Sequence, residues 1–176
     1  NDTLLVEDTL YLHHSLEMGE GSFLMVTGYL SVTGEAQIIL RPGAEIQIQG
    51  GTIGNLCGDL WNGILISGEG SSKKVEAENE KPSQITINSS GSICYAKTGL
   101  DIRAPINLNF DEGRFVDCLT AISVTDCADT VKIGKLTFLA NERYPHRELG
   151  AGLDQFILIS HGNAYINDCQ FINQDP

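Results

Sequence analysis

The sequence predicts an all-β right-handed parallel β-helix, a solenoid of roughly six or seven coils with two inserted loops. Three observations predict it. A unit recurs with a period in the low twenties, its apolar segments are short and strictly alternating, and no segment of ten or more residues keeps a helical stripe.

The recurring unit is clearest downstream. The stretches "ITINSSGSICYAKTGLDI", "INLNFDEGRFVDCLTAISV" and "AYINDCQFINQDP" share a short alternating strand, a polar turn and an apolar anchor. The anchors Ile93, Phe115, Phe138 and Phe171 are separated by 22, 23 and 33 residues, and Leu100 to Ile122 is again 22. The long step contains "NERYPHRELGAGLDQ", a charged stretch that reads as an inserted loop of roughly ten extra residues. Upstream, Ile53 to Ile93 is 40 residues, and the excess is the polar run "GEGSSKKVEAENEKPS". Without the insertions the period returns.

Each element follows from local pattern. In the N-terminal third, short apolar pieces are divided by Gly28, Gly34, Gly43 and Gly50–Gly51, as corners would divide them. Ile46 and Ile48 then alternate with Gln47 and Gln49, Ile85 and Ile87 flank Thr86, and Ile106, Leu108 and Phe110 alternate with Asn107 and Asn109. Period two puts the aliphatic side chains on one face and the amides on the other. Strands this short need many partners, which a coil one turn away supplies at about 4.8 Å, giving a rod about 30–35 Å long. An antiparallel β-sandwich is the rival for the N-terminal third. The downstream period is too strict for hairpins.

Composition narrows the partners. A net charge of −12 argues against nucleic acid and anionic membrane. No apolar run is long enough to span a bilayer. Five cysteines (Cys57, Cys94, Cys118, Cys127, Cys169) with no CxxC pair exclude zinc-site spacing. They read as small core residues, with a single disulfide such as Cys118–Cys127 as the alternative in an oxidising compartment.

The string "LRPGAEIQIQGGTIGNLCGDLWNGILISG" over Leu40–Gly68 resembles a segment of large secreted β-helix proteins of Bacteroidetes-type bacteria. The matching residues are Pro42, Gly43, Ala44, Gly51, Thr52, Cys57, Gly58, Trp61, Gly63, Ile64 and Gly68, and "GSICYAKTGLDI" resembles the next coil. The resemblance covers most of the chain. It implies a secreted or cell-surface location and a modular parent protein, so residues 1–176 are expected to form a single β-helix domain within something longer. It implies little about activity, because such scaffolds carry polysaccharide lyases, glycoside hydrolases and non-catalytic adhesins. In the motif Trp61 is expected to pack a coil corner rather than stack on sugar.

The residues themselves offer little chemistry. A lyase would show clustered acids binding calcium beside a Lys or Arg base. The nearest pair is Asp101 and Arg103, whose equivalents are Ser123 and Thr125 one repeat later and Leu65 and Ser67 one repeat earlier. That is the pattern of a surface ion pair. A glycosidase needs two facing carboxyl groups. Asp111 and Glu112 are turn neighbours expected to point apart, and Asp117 and Asp126 sit where Asp forms turns. His13 and His14 would face opposite sides of a strand and form no metal site.

The inserted loop carries Arg143, Tyr144 and His146 beside other polar groups, and long loops on rigid rods often carry function. Those three, with Asp101, Arg103, Asn107 and Asn109, are the candidate ligand-binding residues. No catalytic or metal-binding residue is assigned. The expected function is a non-catalytic, structural or adhesive module at the cell exterior, binding polysaccharide or another surface protein without a cofactor. The alternative is a polysaccharide lyase or glycoside hydrolase, with calcium as cofactor if a lyase. The chain's final coil is expected to need further chain or another molecule over its open edge.

Overall fold

The computed structural model describes residues 2–68, 81–127, 129–141 and 155–174. Both expected insertions fall largely outside these, at 69–80 and 142–154.

The twenty strands among the described residues sort into sheets by counting in threes. Sheet A stacks β1 (Thr3–Val6), β4 (Phe23–Val26), β7 (Glu45–Gln49), β10 (Ser83–Asn88) and β13 (Ile106–Asp111). Sheet B stacks β2 (Thr9–Leu12), β5 (Tyr29–Val32), β8 (Thr52–Gly54), β11 (Ser92–Cys94), β14 (Gly113–Val116), β17 (Leu136–Ala140) and β20 (Gln170–Asn173). Sheet C stacks β3 (Leu16–Met18), β6 (Ile38–Leu40), β9 (Ile64–Ile66), β12 (Thr98–Ile102), β15 (Thr120–Thr125) and β18 (Gln155–Ser160). The remaining strands, β16 (Thr130–Gly134) and β19 (Asn163–Asn167), pair with each other.

Apart from β13 and β16, which share no ladder, each strand pairs in parallel with the strand three places on where one follows, so each set of three is one winding. Among the described residues there are six windings of three strands and a seventh of two. This is a parallel β-helix. The antiparallel alternative fails in the N-terminal third too, where β1–β4, β2–β5 and β3–β6 are all parallel.

The core is a set of ladders running the length of the rod. In sheet B, Leu30, Ile53, Ile93, Phe115, Phe138 and Phe171 stand one above another. The anchors read from the period are therefore physical neighbours. Phe138 stacks on Phe115 with ring centroids 5.6 Å apart and on Phe171 at 4.9 Å, the ring planes nearly parallel in each case. Sheet C carries Ile38, Ile64, Leu100 and Ile122 in the same way. All these residues are essentially without solvent contact except Phe171, which lies in the last coil and is 49% exposed.

Corners repeat as strictly as strands. Ahead of the sheet B strands β8, β11, β14, β17 and β20 the chain turns through a left-handed residue in successive coils: Gly50, Ser90, Glu112, Lys135 and Asp168. The position after it is Gly51, Gly91 and Gly113, and Gly28 holds the equivalent place in an earlier coil. A Cβ on Gly51 would lie 2.6 Å from the Val26 carbonyl oxygen, because the corner brings one winding's backbone directly against the last. In the last two coils that column ends, with Leu136 and Cys169 in the glycine's place. Sheet A breaks at the same level: no ladder joins β13 to β16.

Trp61 is fully buried and donates its indole N–H to the Cys94 carbonyl at 2.8 Å, and it bridges in parallel to Ala96. It locks a corner between sheets B and C, as its motif suggests. The five cysteines are free thiols. Cys118 donates its thiol to the Ile93 carbonyl and Cys127 to that of Ala104, so they serve different corners and form no disulfide.

Two substitutions test this account by urea denaturation. Phe138→Ala removes the middle ring of the stack and is expected to cost about 3–5 kcal/mol. Gly51→Ala forces two backbones apart and is expected to cost about 2–3 kcal/mol, whereas an alanine merely tolerated at the corner would shift the midpoint little.

Candidate functional site

The break in sheet A and the end of the glycine column coincide with a groove of about 510 Å³ along the corner between sheets A and B. Two polar columns line it. The corner column is Ser90, Glu112, Lys135 and Asp168, one residue from each of four successive coils. Beside it, on the outer face of sheet B, stand Arg114, Thr137 and Gln170, held in ladder register. Asp111 and Leu136 complete the lining. Backbone ladders thus place side-chain functional groups about 4.8 Å apart along the rod axis.

Electrostatics within the groove are lopsided. The Lys135 ammonium donates to Asp111 at 2.9 Å, and both side chains are well exposed. That hydrogen bond, the Asp111 charge, and then Asp168 and Glu112 hold the Lys135 pKa above its ordinary value. Arg114 reaches Ser90 Oγ at 3.3 Å. Three carboxylates therefore face two cations. A smaller hollow of about 190 Å³ adjoins through Lys135, across the gap between β13 and β16, and takes in Asn109, Lys132 and Asn167.

The sequence-derived candidates are dispersed. Asn109 borders this second hollow, and Asn107 is exposed on the same strand, β13. Asp101 and Arg103 stand on sheet C and at its following corner, locked to each other by hydrogen bonds of 2.6, 3.0 and 3.1 Å. Their fork raises the Arg103 pKa and occupies the carboxylate. Arg143, Tyr144 and His146 lie outside the described residues. His13 and His14 are exposed in the turn after β2, not on a strand.

The expected divergence of Asp111 and Glu112 is corrected by the backbone. Glu112 has φ of 63°, which breaks the strand alternation and lets both residues border one groove. The groove escaped sequence reading for a related reason. Its signal was the column of residues preceding each sheet-B strand, where Gly gives way to Leu136 and Cys169, and that column is visible only once the coils are aligned. Asp117 and Asp126 do occupy left-handed turns. Asp117 is the buried carboxylate among the described residues, and both its oxygens accept from Asn141 at 2.8 Å, from the backbone N–H and the side-chain amide.

Among the described residues no three His, Cys, Asp or Glu converge to hold a metal ion, and no helix is long and apolar enough to cross a membrane. The fold and groove define a parallel β-helix with a polar corner cleft. Comparison of the chain with family models, curated proteins and solved structures returns no match.

Near the corner between sheets B and C lies a set of buried and half-buried titratable groups. Burial, reinforced by Cys94 and Tyr95, pushes the Tyr29 hydroxyl up to about 12. Burial pushes the Cys94 thiol up to about 11 and the Cys118 thiol up as well. These groups are protonated in the fold, and their pKa values rise above those of an unfolded chain. The stability they contribute is complete below about pH 9 and is lost as pH climbs toward 11 and 12. Thermal unfolding between pH 8 and about pH 11 should show a falling Tm on the alkaline side. In the same protein at neutral pH, exposed Cys57 should react fast with a thiol reagent while Cys94, Cys118 and Cys127 wait for unfolding.

Proposed function

We propose that this chain is a non-catalytic structural or adhesive module of a secreted or cell-surface protein, similar to the β-helix regions of Bacteroidetes-type bacteria, and that it holds polysaccharide against its side. The observation that carries this reading is the groove itself: half-buried hydroxyls beside exposed amide and charged groups, repeated coil by coil on a rigid scaffold. Such an array offers many weak hydrogen bonds along a line, which suits a polymer better than a small molecule.

The non-catalytic part rests on the state of the carboxyl groups. Asp111 is paired with Lys135, Asp101 with Arg103, and Asp117 with Asn141. Glu112 and Asp168 are open to water, where an acid–base pair gains little from the surrounding protein.

The test is a panel of neutral and acidic polysaccharides scored for binding and for product release together. Retention of at least one polymer with no new reducing ends and no unsaturated sugars is expected. Release of either product would overturn the reading in favour of a glycoside hydrolase or a lyase.

A further inference from the structure

We infer that the corner groove takes an extended, uncharged β-linked glycan lying parallel to the rod axis, with one sugar ring per coil. The inference rests on the polysaccharide reading above and adds the place, the direction and the chemical class of the ligand.

Direction follows from register. The corner column of Ser90, Glu112, Lys135 and Asp168 repeats at the coil spacing of about 4.8 Å and spans about 15 Å over four coils. A pyranose ring in an extended β-1,4 chain advances by close to that same spacing. Successive rings would therefore meet successive coils, each finding a corner residue on one side and a sheet-B residue on the other. Glu112 can accept from ring hydroxyls, Arg114 and Gln170 can donate to them, and Thr137 can do either. A ligand crossing the rod would meet only one coil's groups.

Class follows from charge. Lys135 is surrounded by Asp111, Asp168 and Glu112, which leaves Arg114 as the groove's other cation, and the whole chain carries −12. A uronate polymer would bring further negative charge into an already negative cleft. Vicinal hydroxyls bring none, and carboxylates and amides bind them as acceptors and donors. Among the described residues no aromatic side chain lines the cleft, so affinity comes from hydrogen bonds summed over several rings, which makes it depend on ligand length.

The experiment uses the whole chain and titrates cellobiose through cellohexaose, matched manno- and xylo-oligosaccharides, and polygalacturonate at low salt. Binding should strengthen up to about four rings and then level off, since the groove spans four coils. Polygalacturonate should bind more weakly than the neutral oligomers. Arg114→Ala combined with Gln170→Ala should weaken binding about tenfold, with circular dichroism unchanged because both residues are exposed. Lys97→Ala, at a different corner, should leave affinity as it is.

Neutral glycan binding that is untouched by the double variant would overturn the groove while leaving the polysaccharide module standing. Tighter binding of polygalacturonate, lost in the double variant, would overturn the ligand class. Failure of every probe to bind would overturn both this inference and the polysaccharide reading beneath it.

Discussion

Parallel pairing of each strand with its equivalent one winding away is the constraint from which the rest follows. A strand of three to six residues cannot satisfy its backbone groups or bury its apolar face alone. Stacked on an equivalent strand it does both, provided the register is exact to the residue, since a slip of one would turn Ile93 outward and Ser92 inward. The aliphatic ladders are therefore cause and consequence of the pairing. Phe115, Phe138 and Phe171 show how far this goes, with rings stacked in the same orientation because the backbone beneath them repeats.

The same constraint governs the corners. Windings at the strand spacing leave no room for a Cβ where backbone meets backbone at Gly28, Gly51 and Gly91, and at Gly113 the Ile87 and Leu136 side chains fill the space instead. Where the column gives way to Leu136, the corner no longer closes in the same manner, and the ladder of sheet A is interrupted between β13 and β16. The polar groove lies at that discontinuity. A regular solenoid offers smooth faces, and a cleft arises where regularity is relaxed.

Cross-coil ties add to this frame. Arg41 binds Glu17 at 2.7 Å, Ser67 at 2.9 Å and the Gly68 carbonyl at 3.1 Å, joining three windings along the end of sheet C. Asp117 reaches Asn141 in the next coil, and Trp61 reaches Cys94. Each tie runs along the rod axis, the direction in which a solenoid would otherwise depend on backbone hydrogen bonds and apolar ladders alone.

The sequence by itself determined the class of fold, the period and the identity of the stacked core residues, because burial imposes a periodicity that composition cannot hide. Leu100 over Ile122 and Phe115 over Phe138 were legible as spacings before they were contacts. It also marked Trp61 as a corner residue and Asp117 and Asp126 as turn formers. What the tertiary structure alone decided was which polar groups share a surface. Asp101 and Arg103 close on each other, while Glu112, Lys135 and Asp168, scattered over 57 residues of sequence, line up because the coils carry them to one corner. Apolar side chains announce themselves by a rule of alternation that is local. Polar ones meet through left-handed turns and coil-to-coil register, which are properties of the wound chain.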